Sequence, residues 1–376
     1  MVIRFNTSGD IVVALPYSSE QVLQLSQQIS IADYLDLHLI RFSKAQLETI
    51  YGDEFAALEG IEIAMVQEKT PHFLVNGNKW HKLKFNLLEC LGKGVTRVAT
   101  FGGAYSNHLV ALAEVANRLQ LETIGIIRGE QPKELSHTLK DAQDLGMQLH
   151  FVSRGDYRRR YDRDYIRLLN ESLGFELLIP EGGNNAMGVL GCAHWGQQLK
   201  TLYGSGEFTH WITPVGTGAS LAGLSLSVCD SSNSYCEKTH KQISQSDRII
   251  DVIQEKVIGV AVLKNADYLT AEVQQWHDEL LSDGSIIESS SQALAQQWQL
   301  YTKAHGGGYG KWNHEIVNFI HLFRSVTGIQ LDQIYTAKMM QALPKLKADG
   351  LICAGDRVLA IHSGGMQGIR SIPALL

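Results

Sequence analysis

The sequence predicts an α/β protein built on a largely parallel, doubly wound sheet. Three observations carry that expectation. From about residue 95 onward, short apolar runs alternate with longer amphipathic stretches, the rhythm of strands joined by crossover helices. Thirty-five glycines against seven prolines suit a chain with many strand-to-helix turns. A length of 376 residues with 44% hydrophobic residues is enough for a sizeable core and two domains.

Taken in order, 95–101 reads as a strand and 107–119 as a helix rich in Ala, Leu and Val. The next strand is 122–128, followed by a helical stretch at 135–145. Further strands at 148–153 and 176–180 flank a charged helix. A helix over 185–203 leads into the strand 209–215, and a glycine turn then opens a small-residue helix over 220–228. The polar interval 230–247 breaks the rhythm as a surface loop or insertion. A strand at 257–262, helices at 315–326 and 338–346, and a last strand at 357–361 complete the pattern. Within 1–70, only helices at 19–29 and 43–58 are legible, and neither carries readable chemistry.

A formal net charge of −6 offers no electrostatic argument for nucleic acid or an anionic membrane. The N-terminal stretch lacks a long apolar core, and no run of eighteen apolar residues occurs, so neither a signal peptide nor a membrane span is expected. Five scattered cysteines, Cys90, Cys192, Cys229, Cys236 and Cys353, favour free thiols in a reducing compartment over disulfides. A cytoplasmic protein is the expectation. No metal site is expected either, because the histidines and cysteines lack ligand spacing.

The densest chemistry lies at Gly77-Asn78-Lys79, just ahead of a helix. Lys79, Lys82 and Lys84 crowd this stretch, and a solvated basic face is the ordinary fate of such lysines. The Gly-Asn turn singles out Lys79, whereas Lys82 and Lys84 fall inside the helix. A desolvated amine becomes a nucleophile toward a carbonyl. Two glycine turns downstream resemble anion sites at helix starts. Gly216, Thr217, Gly218, Ala219 and Ser220 follow a strand, and backbone N–H groups there suit a phosphate. A dinucleotide fingerprint is the rival reading, but Leu221 stands where its third glycine belongs. Gly102-Gly103-Ala104-Tyr105-Ser106-Asn107-His108 opens a second helix, which Ser106 or Asn107 would cap and which could also hold a carboxylate. Together these features point to a lysine-bound aldehyde with a phosphate tail, pyridoxal 5′-phosphate. The Arg158-Arg159-Arg160 run, interleaved with Asp156, Asp162 and Asp164, reads as a solvated helix start.

These motifs resemble the 1-aminocyclopropane-1-carboxylate deaminase/D-cysteine desulfhydrase family, whose fold is like the tryptophan synthase β subunit (fold type II). The likeness runs from about Asn76 to Gly368 and includes Pro180-Glu181-Gly182-Gly183-Asn184, Gly308-Tyr309-Gly310-Lys311, Ile334-Tyr335-Thr336-Ala337-Lys338 and Ile361-His362-Ser363-Gly364-Gly365. It implies a smaller α/β domain over 84–198, inserted into a larger cofactor-binding domain formed by 1–83 and 199–376. It also implies a homodimer acting on a small amino acid.

The resemblance implies roles residue by residue. Lys79 carries the cofactor and removes the Cα proton. Asn107 bonds the ring oxygen, the 216–220 loop holds the phosphate, and Thr336 partners the pyridine nitrogen. Ser106, Asn107 and His108 grip the substrate carboxylate, Tyr309 and Tyr335 face the substrate, and Ser363 lies at its rim. Ring-opening members carry an acid at the position of Thr336 and a leucine at that of Ser363, so both residues resemble the desulfhydrase side. Departures from the family pattern are Asn76 for serine, Ala219 for glycine, and an acid-first order at Glu68-Lys69. The implied reaction is α,β-elimination from D-cysteine; ring opening and cofactor binding without turnover are the alternatives.

Overall fold

The computed structural model describes residues 4–5, 11–12, 19–28, 37–68, 75, 77–228, 255–282 and 294–375. The polar interval 230–247, Asn76, Cys229 and Cys236 lie outside these residues.

β1 (Arg4–Phe5) and β2 (Ile11–Val12) form a short antiparallel pair. The remaining strands are β3 (Leu37–Arg41), β4 (Glu62–Glu68), β5 (Arg97–Gly102), β6 (Glu122–Arg128), β7 (Gln148–Val152), β8 (Leu177–Ile179), β9 (His210–Val215), β10 (Lys256–Ala261), β11 (Trp298–Tyr301) and β12 (Arg357–Ile361). One sheet has the order β7-β6-β5-β8 and is parallel throughout. The other runs β11-β10-β9-β12-β4-β3, parallel except for β3, which pairs antiparallel with β4 at one edge. The four-stranded sheet thus draws on 97–179 alone, and the six-stranded sheet on segments before and after it.

The helices are α1 (Ser19–Gln28), α2 (Lys44–Tyr51), α3 (Asn78–Gly92), α4 (Asn107–Arg118), α5 (His137–Asp144), α6 (Arg154–Tyr157), α7 (Arg163–Leu173), α8 (Ala186–Tyr203), α9 (Ala219–Val228), α10 (Tyr268–Leu281), α11 (His314–Thr327), α12 (Thr336–Gln341) and α13 (Leu343–Ala348). Both faces of β4, β5, β6, β9, β10 and β12 are buried. In β4, Ile63 and Met65 face one core with α11 to α13, while Ala64 and Val66 face the other with α8 and α9. That explains the continuous apolar run: a parallel strand covered by helices on both sides has no polar face.

Three helices approach unusually closely. A Cβ at Gly191 of α8 would lie 1.9 Å from the His81 carbonyl oxygen of α3, and one at Gly223 of α9 would lie 2.3 Å from the Val189 carbonyl of α8. Glycine at these positions lets backbone meet backbone beneath the site.

The alternation read from residue 95 matches the structure to within a residue or two at most elements. Some expectations need correction. The single helix expected over 338–346 is two, α12 and α13, because Pro344 supplies no N–H and sits naturally in a first turn. The helix expected over 43–58 stops at Tyr51, and a 3₁₀ turn, Gly52–Leu58, follows. Strands β1 to β4 and β11 and helix α10 went unread. No described helix is long and apolar enough to cross a membrane. Cys90, Cys192 and Cys353 are free thiols.

Candidate active site

Gly77 adopts φ +56°, and a Cβ there would lie 2.3 Å from the Ser363 carbonyl oxygen, so only glycine fits. The Gly77 N–H donates to Glu68 Oε2 at 2.9 Å, and the Asn78 N–H donates to the Ser363 carbonyl at 3.2 Å. Because α3 begins at Asn78, Lys79 stands inside the first helical turn rather than ahead of it. Its Nζ donates to Asn78 Oδ1 at 2.9 Å and lies 5.8 Å from the centre of the Tyr335 ring. Burial, with the Lys82 ammonium nearby, pulls the Lys79 pKa down to about 7. A substantial share of this amine is therefore neutral, the nucleophilic form, at neutral pH.

The turn between β9 and α9 brings Gly216, Thr217 and Gly218 to the start of a helix, with Gly218 at φ +87°. Lys82 reaches this turn. Its Nζ donates to Thr217 Oγ1 at 3.2 Å, while Asn78 Nδ2 donates to Ser220 Oγ at 3.2 Å. A cation, a hydroxyl and the N-terminal end of a helix thus converge where a phosphate would sit. Lys82 and Lys84 are buried, so the ordinary fate of such lysines, a solvated face, is not theirs. The missed signal is spacing: Lys82 is three residues after Lys79 and shares its helix face.

Ser106 occupies the position before α4, but its hydroxyl caps no N–H of the helix, contrary to expectation. Asn107 is buried, and among the described residues its Oδ1 has no hydrogen-bond partner. His108 Nε2 meets Thr100 Oγ1 at 3.1 Å while its Nδ1 has no partner among the described residues. Burial, with Lys79 and Lys82 nearby, holds the His108 pKa well below the usual imidazole range, so the ring is neutral.

The opposite wall is organised by Asp332, a fully buried carboxylate absent from the sequence reading. Its two oxygens accept from the N–H groups of Ile334, Tyr335 and Thr336 at 2.7 to 2.9 Å. These bonds set the start of α12. They place the Thr336 hydroxyl 3.5 Å from Ser363 Oγ and the Tyr335 hydroxyl 3.1 Å from that of Tyr309. Desolvation in the cavity raises the pKa of both hydroxyls, even though Tyr309 keeps 43% of its surface exposed, so both remain proton donors.

Beneath the lysine lies a polar chain that sequence reasoning also missed. Lys84 donates to Nδ1 of His81 at 3.0 Å and to Nδ1 of His194 at 2.8 Å. With its Nδ1 accepting, His81 presents its Nε2 proton to Glu68 Oε1. The His81 ring stacks on Trp195 with centroids 4.3 Å apart. Burial pushes Glu68 up to about 7 and pulls Lys84 down to about 7. Four buried ionisable groups thus satisfy one another next to the turn that positions Lys79.

Lys79, Ser106, Asn107, His108, Gly216, Thr217, Gly218, Ser220, Tyr309 and Tyr335 all line one cavity of about 490 Å³. Thr336 and Ser363 are buried without lining it, and Ala219 is buried in the first turn of α9. Among the described residues, no cluster of His, Cys, Asp or Glu could hold a metal. The residues present do fit pyridoxal phosphate: a near-neutral lysine, a second lysine one helical turn on that reaches the glycine turn, and the buried Asn107 amide, whose Nδ2 can donate to a ring oxygen.

Comparison with known proteins agrees. A Thermotoga maritima protein provisionally named as a 1-aminocyclopropane-1-carboxylate deaminase is 28% identical over 313 residues, covering 82% of this chain and 90% of its own. The bifunctional D-cysteine desulfhydrase/1-aminocyclopropane-1-carboxylate deaminase of Arabidopsis thaliana is 26% identical over 325 residues, covering 82% and 74%. The crystal structure of an ACC deaminase homologue superposes with a TM-score of 0.68 at 22% identity over 96% of this chain and all of the other. The fold is therefore that of the fold-type II enzymes, as the resemblance implied. The family model of pyridoxal-phosphate dependent enzymes matches residues 76–364, and with the lysine, glycine turn and cavity in place the chain belongs to that family.

Proposed function

We propose that the protein eliminates the β-substituent of a small amino acid, with D-cysteine, converted to pyruvate, hydrogen sulfide and ammonia, as the leading substrate. The observation that carries this reading is the buried Thr336–Ser363 hydroxyl pair, 3.5 Å apart, at the two positions where the resemblance implies an acid and a leucine in ring-opening enzymes. Asp332 is close by, but both its oxygens are engaged by backbone N–H groups. A neutral hydroxyl opposite the pyridine nitrogen suits expulsion of a good leaving group such as thiolate.

Pyridoxal phosphate, when bound, supplies the electron sink for the charge left at Cα. The chain does the rest. Lys79 carries the cofactor and, with its lowered pKa, takes the Cα proton at neutral pH. Lys82 and residues 216–220 would hold the phosphate, and the Asn107 amide would donate through Nδ2 to the ring oxygen. Ser106, Asn107 and the neutral His108 hold the carboxylate. Tyr309 and Tyr335, linked through their hydroxyls, deliver a proton toward the leaving sulfur. Assembly as a homodimer goes with this reading, and light scattering checks it.

The test is a parallel assay of the loaded enzyme with D-cysteine and with 1-aminocyclopropane-1-carboxylate. Sulfide and pyruvate from the first, abolished by Lys79→Ala, support the proposal. Ring opening to 2-oxobutyrate at an equal or higher kcat/KM would overturn the choice of substrate. Bound cofactor with no product from any β-substituted amino acid would overturn catalysis itself.

A further inference from the structure

Outward from the carboxylate loop, the cavity opens through a mouth that the elimination of cysteine leaves unused. Arg128, Arg154 and Arg160 all line it. A second depression, of about 540 Å³, shares these three and Glu181 and adds Arg158 and Lys311. Glu181 is already engaged: Arg160 reaches it at 2.8 Å and the Tyr157 hydroxyl donates to it at 2.8 Å. Glu272 is the other acid in the wall. Among the described residues, Arg128 and Arg154 form no ion pair.

The cations are gathered rather than scattered. Arg128 and Arg160 stand over the ring of the buried Tyr157, at 5.8 and 5.3 Å. Glu181 answers the charge of Arg160, and Arg128 on the same ring has no ion pair among the described residues, which leaves it open to an anion. Arg128 also packs on the loop that carries Ser106 and Asn107, since a Cβ at Gly103 would lie 3.7 Å from its Nη2. An anion held there is within one short side chain of that loop. The chain as a whole carries a net charge of −6, so a basic mouth is a local feature of the kind that steers anions.

We infer that this mouth is a subsite for the side-chain end of a substrate, and that the site takes, besides D-cysteine, amino acids bearing a second negative group (sulfonate, carboxylate or phosphate) held by Arg128 and Arg154. The inference rests on the site being one for amino-acid elimination. Of the arginine run that the sequence reads as a solvated helix start, Arg160 lines the cavity and pairs with Glu181.

The experiment titrates the loaded enzyme with DL-cysteate and with DL-alanine, following the visible absorbance of the bound cofactor; racemic probes remove the question of configuration. Charge-assisted pairing with two guanidinium groups is expected to make cysteate bind about tenfold tighter or more at low salt, a preference that shrinks as salt rises. The double variant Arg128→Gln/Arg154→Gln should bring the two affinities to within about twofold. Equal affinities in the unaltered enzyme, or a preference that survives the double substitution, overturn the subsite. Slower uptake of pyridoxal phosphate by the double variant with the cysteate preference intact would also overturn it, assigning the charge to cofactor capture. Equal affinities with pyruvate still formed from D-cysteine sink the subsite alone. A cysteate preference with no elimination from any amino acid sinks the reaction and leaves the anion site standing.

Discussion

Gly191→Ala tests the idea that close helix contact sets the site. The added Cβ would lie 1.9 Å from the His81 carbonyl oxygen and 3.0 Å from its carbon. Restoring an ordinary contact requires α3 to retreat from α8 by about 1.5 Å, an overpacking that costs about 1–3 kcal/mol, against a gain of about 1 kcal/mol for alanine in a helix. Retreat is resisted at the start of α3, where Gly77 and Asn78 are locked against Ser363. The Lys82–Thr217 bond, 3.2 Å at rest, is stretched by the same movement past useful hydrogen-bond length. Losing a charged contact to the phosphate is worth about 1.5–3 kcal/mol, or about ten- to hundredfold in cofactor affinity. Chemical unfolding of the cofactor-free protein followed by circular dichroism, and equilibrium dialysis with pyridoxal phosphate, measure the two effects. Gly92→Ala is the control, because nothing lies within 4 Å of its Cβ position. If Gly191→Ala matches the control in stability and cofactor affinity, the close-packing argument is wrong.

The remaining expectations concern charge. Lys79 has its pKa lowered to about 7, so its amine is protonated below that pH and free above it. Cofactor uptake should therefore rise with pH, reach half its maximum near pH 7 and level off where an ordinary lysine is still charged. Stopped-flow absorbance measures this, and a rate still climbing at pH 10 would contradict it. Lys82→Gln removes a neighbouring positive charge and should move the midpoint upward. Asp332→Asn retains one accepting oxygen but turns an amide toward the backbone N–H groups that hold α12, costing about 1–3 kcal/mol in a urea titration and lowering turnover. Tyr309→Phe should leave the fold intact and lower kcat by about 10² or more if the hydroxyl pair moves the proton. His108 should show no imidazole titration by NMR between about pH 5 and 8, where an ordinary histidine changes charge.

Much of this molecule is written locally. The alternation of apolar runs and helical stretches determined β5 to β10 and the helices between them, because period and turn chemistry are properties of adjacent residues. The glycine turns before Lys79 and at 216–218 disclosed the cofactor's chemistry for the same reason: positive φ and helix starts are encoded where they occur. Tertiary structure alone decided which charges matter. Lys82 meets Thr217 across 135 residues, and Glu68 reaches His81 from a strand that the sequence did not reveal. Asp332 carries no local mark distinguishing it from a surface acid, yet it orders the wall that holds Thr336 and Tyr335. Arg128, at the end of one strand, and Arg160, ahead of a helix 32 residues later in the chain, converge on Tyr157 only when β6 and α6 pack together. Whether a lysine or a carboxylate is solvated or buried is fixed by what folds over it, and that partner is chosen by packing between segments far apart in the chain.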